Sequence, residues 1–428
     1  MVEQQTQAAT NGEPEFAAFV GIDWADKKHY WSLSTVSGHC ERGTLDNMPE
    51  AVEAWLMELR RRFEGRPIAV ALEQRKGALV VMLGKYDHAY LYPVHPRSLA
   101  KFREAFYPSG AKDDTKDADL LREILTKHRA HLRRLDPDTK EMRLLQSQVE
   151  NRRKLVDERT ALANKLKDTL KIYFPRIPRW FEDVSTELVC DLLARWPTLE
   201  ELRKARPATV EKFFHQHRCC EGNIRQRLDD IRNAVAATRD EAVIIPSKHM
   251  IAAWVGQLAV LRQAIREIER EIADLAHRQE DWAIFDSLPG AGDVMAPRLM
   301  AAPGTRRERF ESADELQCFA GIAPVKEASG NSVWIRFRRA CPKFLRQTFH
   351  EWAACSIPQC DWAKTYYDDQ KARGKKHHAA VRALAFKWMR ILYRCWKARQ
   401  PYQESVYLAS VAKRILPARH LAASVQMP

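Results

Sequence analysis

The stretch FAAFVGIDWADKKHYWSLST, residues 16–35, decides the fold of the first part of the chain. An apolar run ends at Asp23, a polar turn follows, and then aromatic residues alternate with polar ones. That pattern predicts two neighbouring strands. Outward from it, residues 49–63 carry helical spacing, and RPIAVALEQ is a short β-branched strand ending on Glu73. AYLYPVHP reads as a further strand, and a helix is expected over about 111–130. Strands alternating with helices predict an α/β layer.

Residues 138–173 hold helical periodicity without glycine or proline. A second segment places Ile251, Trp254, Leu258, Leu261, Ile265, Ile268, Ile272 and Leu275 at spacings of three and four. This is a heptad seam, read as one arm of a coiled-coil helix pair, antiparallel within the chain or formed between subunits. The segment between, about 174–246, contains Trp and Pro and has no readable role. From residue 284, FDSLPGAGDVMAPRLMAAPG sets two close glycines between apolar runs and then a helix, which resembles a helix-hairpin-helix. There Gly290 and Gly292 either approach a phosphate through their amides or make a tight turn. The tail from 371, KARGKKHHAAVRALAFKWMRILYRCWKARQ, is basic and aromatic. It is either a nucleic-acid contact or an amphipathic packing helix.

The 428 residues suffice for two or three domains, and a formal net charge of +14 favours polyanionic partners, nucleic acid first. Nine scattered cysteines fit a reducing cytoplasm rather than a disulfide framework. The N-terminal MVEQQTQAATNGEPE lacks a basic start and an apolar core, so it reads as a disordered lead and not a secretory signal. No continuous apolar run reaches the roughly 18 residues of a membrane span, so no membrane partner is expected. HQHRCC, residues 215–220, offers zinc-ligand types, but no second pair at finger spacing accompanies it. Structural or solvated roles are expected there.

Asp113, Asp114, Asp117 and Asp119 crowd into GAKDDTKDADLL, residues 110–121. Asp114 and Asp117, at i and i+3, share a helix face. Strand ends at Asp23 and Glu73 that converge beside that helix would bring four carboxylates together. Such acids repel unless cations stand between them, and Mg²⁺, as two ions about 4 Å apart, suits phosphodiester chemistry. Glu73 is the more telling acid, because a charge closing an apolar strand needs a reason. The plainer alternative makes these aspartates caps or first-turn acids, and that reading, or simple solvation, is preferred for Asp113 and Asp119.

FVGIDWADKKHYWSL, ALEQ and KDDTKDADLL resemble the three motifs of a DEDD, RuvC-like domain. LPGAGDVMAPRLMA, FAGIAPVKEASGNS and RRACPKFLRQTFHEWA resemble the transposase domain that accompanies it in the IS110 group of insertion-sequence transposases, which includes the pilin-gene invertases. The resemblance implies an RNase H-like α/β N-terminal domain, long coiled-coil helices and a mostly α C-terminal domain. The expected divisions are a lead at 1–15, the RuvC-like domain at 16–132, the helical region at 133–283, the transposase domain at 284–375 and a basic tail at 376–428. It implies Mg²⁺ on Asp23, Glu73, Asp114 and Asp117, and a serine nucleophile at Ser329, just before Gly330. It further implies a bridge RNA pairing with donor and target DNA, and a dimer that pairs into a tetramer, in a prokaryotic cytoplasm. Two departures stand out: Asp113 replaces the threonine of the usual K-T-D-x-x-D-A, and Cys341-Pro342 stands where Gly-Asn is frequent.

A serine hydroxyl is a weak nucleophile unless a base or metal activates it. The nearest histidines in sequence are His277 and His350. Ser-Gly is also common turn chemistry, and Ser332 competes for the role. Arg336, Arg338 and Arg339 follow and either clamp phosphate or line a solvated face. Two other functions remain open from sequence: a RuvC-type endonuclease using metal-activated water, and a basic, dimeric, non-catalytic nucleic-acid binder.

Overall fold

A computed structural model of the chain describes residues 13–106, 114–330 and 332–410, without the side chain of Asp114. Residues 1–12 of the expected lead, and Asp113, lie outside the described residues. The chain divides into two compact units, residues 1–137 and 138–428.

The first unit is a mixed α/β domain. Its strands are β1 (Ala18–Asp23), β2 (Lys28–Thr35), β3 (Cys40–Asp46), β4 (Ile68–Leu72) and β5 (Ala89–Pro93). Its helices are α1 (Pro49–Arg62), α2 (Ala78–Leu83), α3 (Pro96–Phe106) and α4 (Asp114–His128). The sheet order is β3-β2-β1-β4-β5. β1, β2 and β3 are antiparallel, whereas β4 and β5 run parallel to β1. The central β4 is buried at every residue, which explains its unbroken apolar run. β3 is absent from the sequence reading because it is a polar edge strand with only Leu45 buried.

Side-chain alternation assigns the two faces of the sheet. Val20, Ile22, Val70 and Leu72 pack with Val52, Leu56 and Leu59 of α1 and Leu79 and Leu83 of α2. On the opposite face Ala69, Ala71 and Tyr92 meet Leu99 of α3 and Leu120, Leu121, Ile124 and Leu125 of α4. Each of those buried α4 side chains contributes about 1.5–3 kcal/mol. This face is lined by small residues, so α4 lies close to the strands. At Gly21 a Cβ would stand 2.1 Å from the Ala118 carbonyl oxygen and 2.4 Å from the Arg122 nitrogen. Only glycine permits that approach.

The second unit is mostly helical. It runs through α5 (Lys140–Tyr173), α6 (Arg176–Trp180), α7 (Glu187–Arg195), α8 (Leu199–Lys204), α9 (Pro207–Gln216), α10 (Glu221–Asn233) and α11 (Glu241–His277). It continues with α12 (Trp282–Asp286), α13 (Gly292–Ala301), α14 (Ala313–Phe319), the hairpin β6 (Val325–Ser329) and β7 (Ser332–Arg336), α15 (Lys343–Ser356), α16 (Asp361–Ala372) and α17 (His377–Ala398). α5 begins where the Thr139 hydroxyl accepts from the Met142 amide at 3.2 Å. α11 begins likewise at Asp240, five or so residues earlier than the periodicity implied.

α5 and α11 pair antiparallel within the chain. Met142, Leu145 and Val149 share one core with Ile272, while Leu166 and Leu170 share another with Ile251 and Leu258. Arg152 donates to Glu269 at 2.8 Å across the pair. Every second position of the predicted seam, Ile251, Leu258, Ile265 and Ile272, is buried. α11 is the one described helix that passes as a membrane span by length and composition, with a most apolar window averaging 1.3 in mean hydropathy. One face of it, Ile251, Leu258, Ile265 and Ile272, is buried, whereas Ile245, Met250 and Val260 are exposed.

The segment from α6 to α10 closes a core around one end of the pair, burying Ile177, Val189, Leu193, Phe213, Phe214 and Ile224. The core at the other end is built by α12–α17. The basic tail forms a helix that packs by its apolar face, with Arg390, Arg394 and Lys397 exposed. α17 buries Val381, Leu384, Trp388, Leu392 and Trp396. The indoles of Trp352, Trp388 and Trp396 donate to Pro289 O, Ser356 Oγ and Gly304 O at 2.8–3.0 Å, so these large rings are buried without orphaned N–H groups.

Candidate active site

Three of the predicted acids converge at the carboxyl ends of the central strands. Ile22 of β1 pairs with Leu72 of β4, so Asp23, the last residue of β1, and Glu73, just past β4, stand on neighbouring strand ends. Strand alternation places both on the face of Gly21 and Ala71, which is the α4 face. The close contact at Gly21 draws the first turns of α4 to the same edge, where Asp117 is 1% exposed and Asp23 is 9% exposed. Asp114 is the first residue of α4, one turn before Asp117, and its side chain lies outside the described residues.

A cation already stands among these acids. Arg103 of α3 donates from Nε to Asp117 Oδ1 at 2.7 Å and from Nη2 to Oδ2 at 2.6 Å. The hydrogen bonds to Asp117 raise the Arg103 pKa, burial opposes them, and the charges of Asp117, Glu73 and Asp23 add to the rise. The guanidinium therefore feels all three carboxylates. No sequence signal marks Arg103, which lies 14 residues before Asp117 on a different helix.

Among the described residues no group of three or more His, Cys, Asp or Glu is placed to hold a metal ion as the chain stands. The HQHRCC run forms no such group either. His217 lies 3.4 Å from Asp191, and Cys219 accepts from Arg227. All nine cysteines are free.

Asp119 corrects the sequence expectation of a cap or a solvated acid. Its carboxylate accepts from Ser32 Oγ at 2.7 Å and from Arg42 Nε at 2.9 and 3.0 Å, tying α4 to β2 and β3. Burial pushes its carboxyl up, but the bonds from Arg42 and Ser32 and the charges of Arg42 and Arg122 outweigh that and leave it below its ordinary value. Ser32 and Arg42 are 87 and 77 residues away in sequence, too far for local pattern to show.

Ser329 lies in the second unit, at the end of β6, paired with Ser332 across the hairpin. Gly330 takes a φ of +54°, a left-handed conformation that suits glycine at the turn. Register puts Ser329, Glu327, Ser332, Trp334 and Arg336 on one face and Ala328, Lys326, Val333 and Ile335 on the other. Both faces are open: Trp334 is 62% exposed and Ile335 74%. Arg336 pairs with Glu327 at 3.1 Å. Arg338 donates to the Ala323 carbonyl at 3.1 Å, so it anchors the hairpin base, whereas Arg339 is exposed. Gly290 has a reason within the fold, because a Cβ there would lie 2.7 Å from the Cys355 carbonyl. Gly292 is exposed at the start of α13 and has open space around it.

Comparison with known proteins finds two family models along the chain, the first running from the α/β unit through α5. Residues 20–175 match the DEDD-type transposase family model of IS110, and residues 283–368 match the model described as transposase, IS116/IS110/IS902 family. The chain is 26% identical to the "Mini-circle putative transposase for IS117" of Streptomyces coelicolor, over 92% of this chain and 97% of that protein. It is 28% identical to the IS900 "uncharacterized 42 kDa protein" of Mycobacterium paratuberculosis, over 92% and 98%. It is 26% identical to the IS110 "uncharacterized 43.6 kDa protein" of Streptomyces coelicolor, over 89% and 94%. An α/β unit with acids at its strand ends, followed by a helical unit bearing a basic hairpin, belongs here to a DNA-modifying enzyme, a transposase. More narrowly, the chain carries transposase domains of the IS110/IS116/IS902 family of insertion sequences.

Proposed function

We propose that this transposase cuts and rejoins DNA strands with Mg²⁺ held by Asp23, Glu73, Asp114 and Asp117 and with Ser329 as nucleophile. The observation that carries the reading is the convergence of Asp23, Glu73 and Asp117 on one edge around a guanidinium. The sheet order, with three antiparallel strands followed by two parallel ones and α4 across them, supports a RuvC-like, RNase H-like domain. When bound, Mg²⁺ supplies positive charge that stabilises a developing phosphorane and acidifies an attacking hydroxyl. The acids hold and orient that charge, and Arg336, Arg339 and the exposed α13 start at Gly292 grip phosphate oxygens.

Ser329 Oγ attacks the scissile phosphorus and gives up its proton. An Oγ–P bond forms, the bond from phosphorus to one deoxyribose oxygen breaks, and that oxygen leaves as a hydroxyl after taking up a proton. The phosphoserine diester conserves the bond energy, so a second sugar hydroxyl can reverse the step and rejoin the strands. Sequence choice is delegated to a bridge RNA that pairs with donor and target DNA, which suits a basic protein binding mainly through the backbone. The active form is a dimer pairing into a tetramer in a prokaryotic cytoplasm. The exposed Val260, with Leu162, Leu261 and Gly256 along the α5–α11 groove, supports such pairing. The test is strand cleavage by alanine variants at each acid. Loss of cleavage with DNA binding retained is expected, and full activity of Asp117→Ala overturns the assignment.

A further inference from the structure

Burying Asp117 beside Asp23 and Glu73 poses a problem before any metal arrives. Like charges in a poorly solvated place repel strongly, and an uncompensated buried carboxylate is costly. The chain answers with its own cation. Arg103 offers both of its fork donors to both Asp117 oxygens, at 2.7 and 2.6 Å. The Arg103 side chain is 20% exposed while the Asp117 side chain is 2% exposed, so the pair sits at the rim with the acid innermost.

The helix that carries Arg103 is lightly held. Within α3 only Leu99 is buried, whereas Lys101, Glu104, Ala105 and Phe106 are exposed. Elements with few buried apolar contacts open at low free energy. α4, which carries Asp117, is by contrast fixed by Leu120, Leu121, Ile124 and Leu125. A rigid acid is thus paired with a movable base.

We propose that Arg103 is the resident counter-ion of the acid cluster, displaced from Asp117 when divalent metal enters. The inference rests on the reading of these acids as metal ligands. A divalent ion on the Asp117 oxygens and a guanidinium on the same oxygens repel each other at close range in a poorly solvated place. Arg103 leaves, because it is the partner of the pair that reaches solvent. Metal entry is then coupled to release of α3, and the metal-free enzyme is held folded and idle by the same contact.

The test uses Mn²⁺ as an EPR-visible probe on the full chain, comparing wild type, Arg103→Gln, Arg103→Lys and Asp23→Asn. Arg103→Gln is expected to bind Mn²⁺ about tenfold more tightly, as a charge-assisted fork contact of ordinary strength predicts. Arg103→Lys, which keeps the charge and loses the fork, falls between. In EDTA the melting temperature of Arg103→Gln drops below wild type, and saturating Mn²⁺ restores it. Hydrogen exchange in residues 96–106 of wild type rises on adding Mn²⁺. Unchanged or weaker Mn²⁺ affinity in Arg103→Gln overturns the inference. If Arg103→Gln does not fold, Arg103→Lys matching wild type in affinity, with no change in α3 exchange, overturns it equally. Mn²⁺ binding unaffected by Asp23→Asn overturns instead the metal-ligand reading beneath it.

Discussion

Gly21→Ala tests how the fold positions the site. The new methyl would stand 2.1 Å from the Ala118 carbonyl oxygen and 2.4 Å from the Arg122 nitrogen. Both are backbone atoms of α4, so no side-chain rotation relieves the contact, and the helix must retreat by roughly 1 Å. That loosens Leu120, Leu121, Ile124 and Leu125, which are 0–2% exposed. The expected loss is about 2–3 kcal/mol, lowering the melting temperature of the first unit by roughly 5–10 °C. Asp117 adjoins Ala118, so the retreat also displaces the acid from Asp23 and Glu73. A displacement of that size reduces a positioned reaction on the order of 100-fold. Urea melts and a Mg²⁺-dependent strand-cleavage assay, run below the transition, separate the two effects. Gly43→Ala is the control: its methyl would meet the Trp31 ring at 2.5 Å, on the β2–β3 side of the sheet. It should lose stability and keep cleavage. Gly21→Ala that is as stable as wild type, or cleaves as well, would show that the close approach of α4 does not set the site.

Three further outcomes are expected. Asp119→Asn should cost about 1–2 kcal/mol at pH 7, allowing for partial exposure. Because the folded Asp119 carboxyl lies below its ordinary value, its contribution is present above about pH 4 and is lost as pH falls through the folded pKa; a wild-type-to-variant gap in urea melts that does not shrink on acidification would contradict this. Gly256→Ala, in the interior of α11 with open space at its Cβ, should stabilise the second unit by ~0.5–1 kcal/mol, read as a higher melting temperature. Glu351→Ala should destabilise by about 3–5 kcal/mol, because it strands the buried Arg298 that donates to Glu351 at 2.7 Å, and Arg298→Met with Glu351→Ala should recover part of that loss.

What the sequence made legible was whatever local pattern encodes. An apolar run exposed β1, alternation of aromatic and polar residues exposed β2, and the seam from Ile251 to Leu275 exposed α11, whose stripe faces α5. Asp23 and Glu73 were legible as charges closing apolar runs. β3 was not, since CERGTLD is an edge strand whose polarity reads as loop. The short helices from α6 to α10 escaped because each buries only a few residues against the distant ends of α5 and α11. Arg103 and the Ser32–Asp119–Arg42 tie escaped for a different reason. Their partners are fixed by the sheet order, and no residue within a helical turn announces them. Gly21 sat in plain view within a strand, but only the placement of α4 explains it. For the basic tail, composition allowed two readings, and the burial of Trp388 and Trp396 shows that one face packs.

In the proposed mechanism Ser329 carries the broken strand. The most direct measurement incubates full-length protein with end-labelled nicked DNA and Mg²⁺, resolves the products by denaturing electrophoresis, and maps the linked peptide. A metal-dependent protein–DNA adduct is expected at Ser329, absent from Ser329→Ala and Asp23→Ala and retained by Ser332→Ala. Cleaved DNA with free ends and no adduct, or an adduct mapped to another residue, would contradict it and leave attack by water in its place.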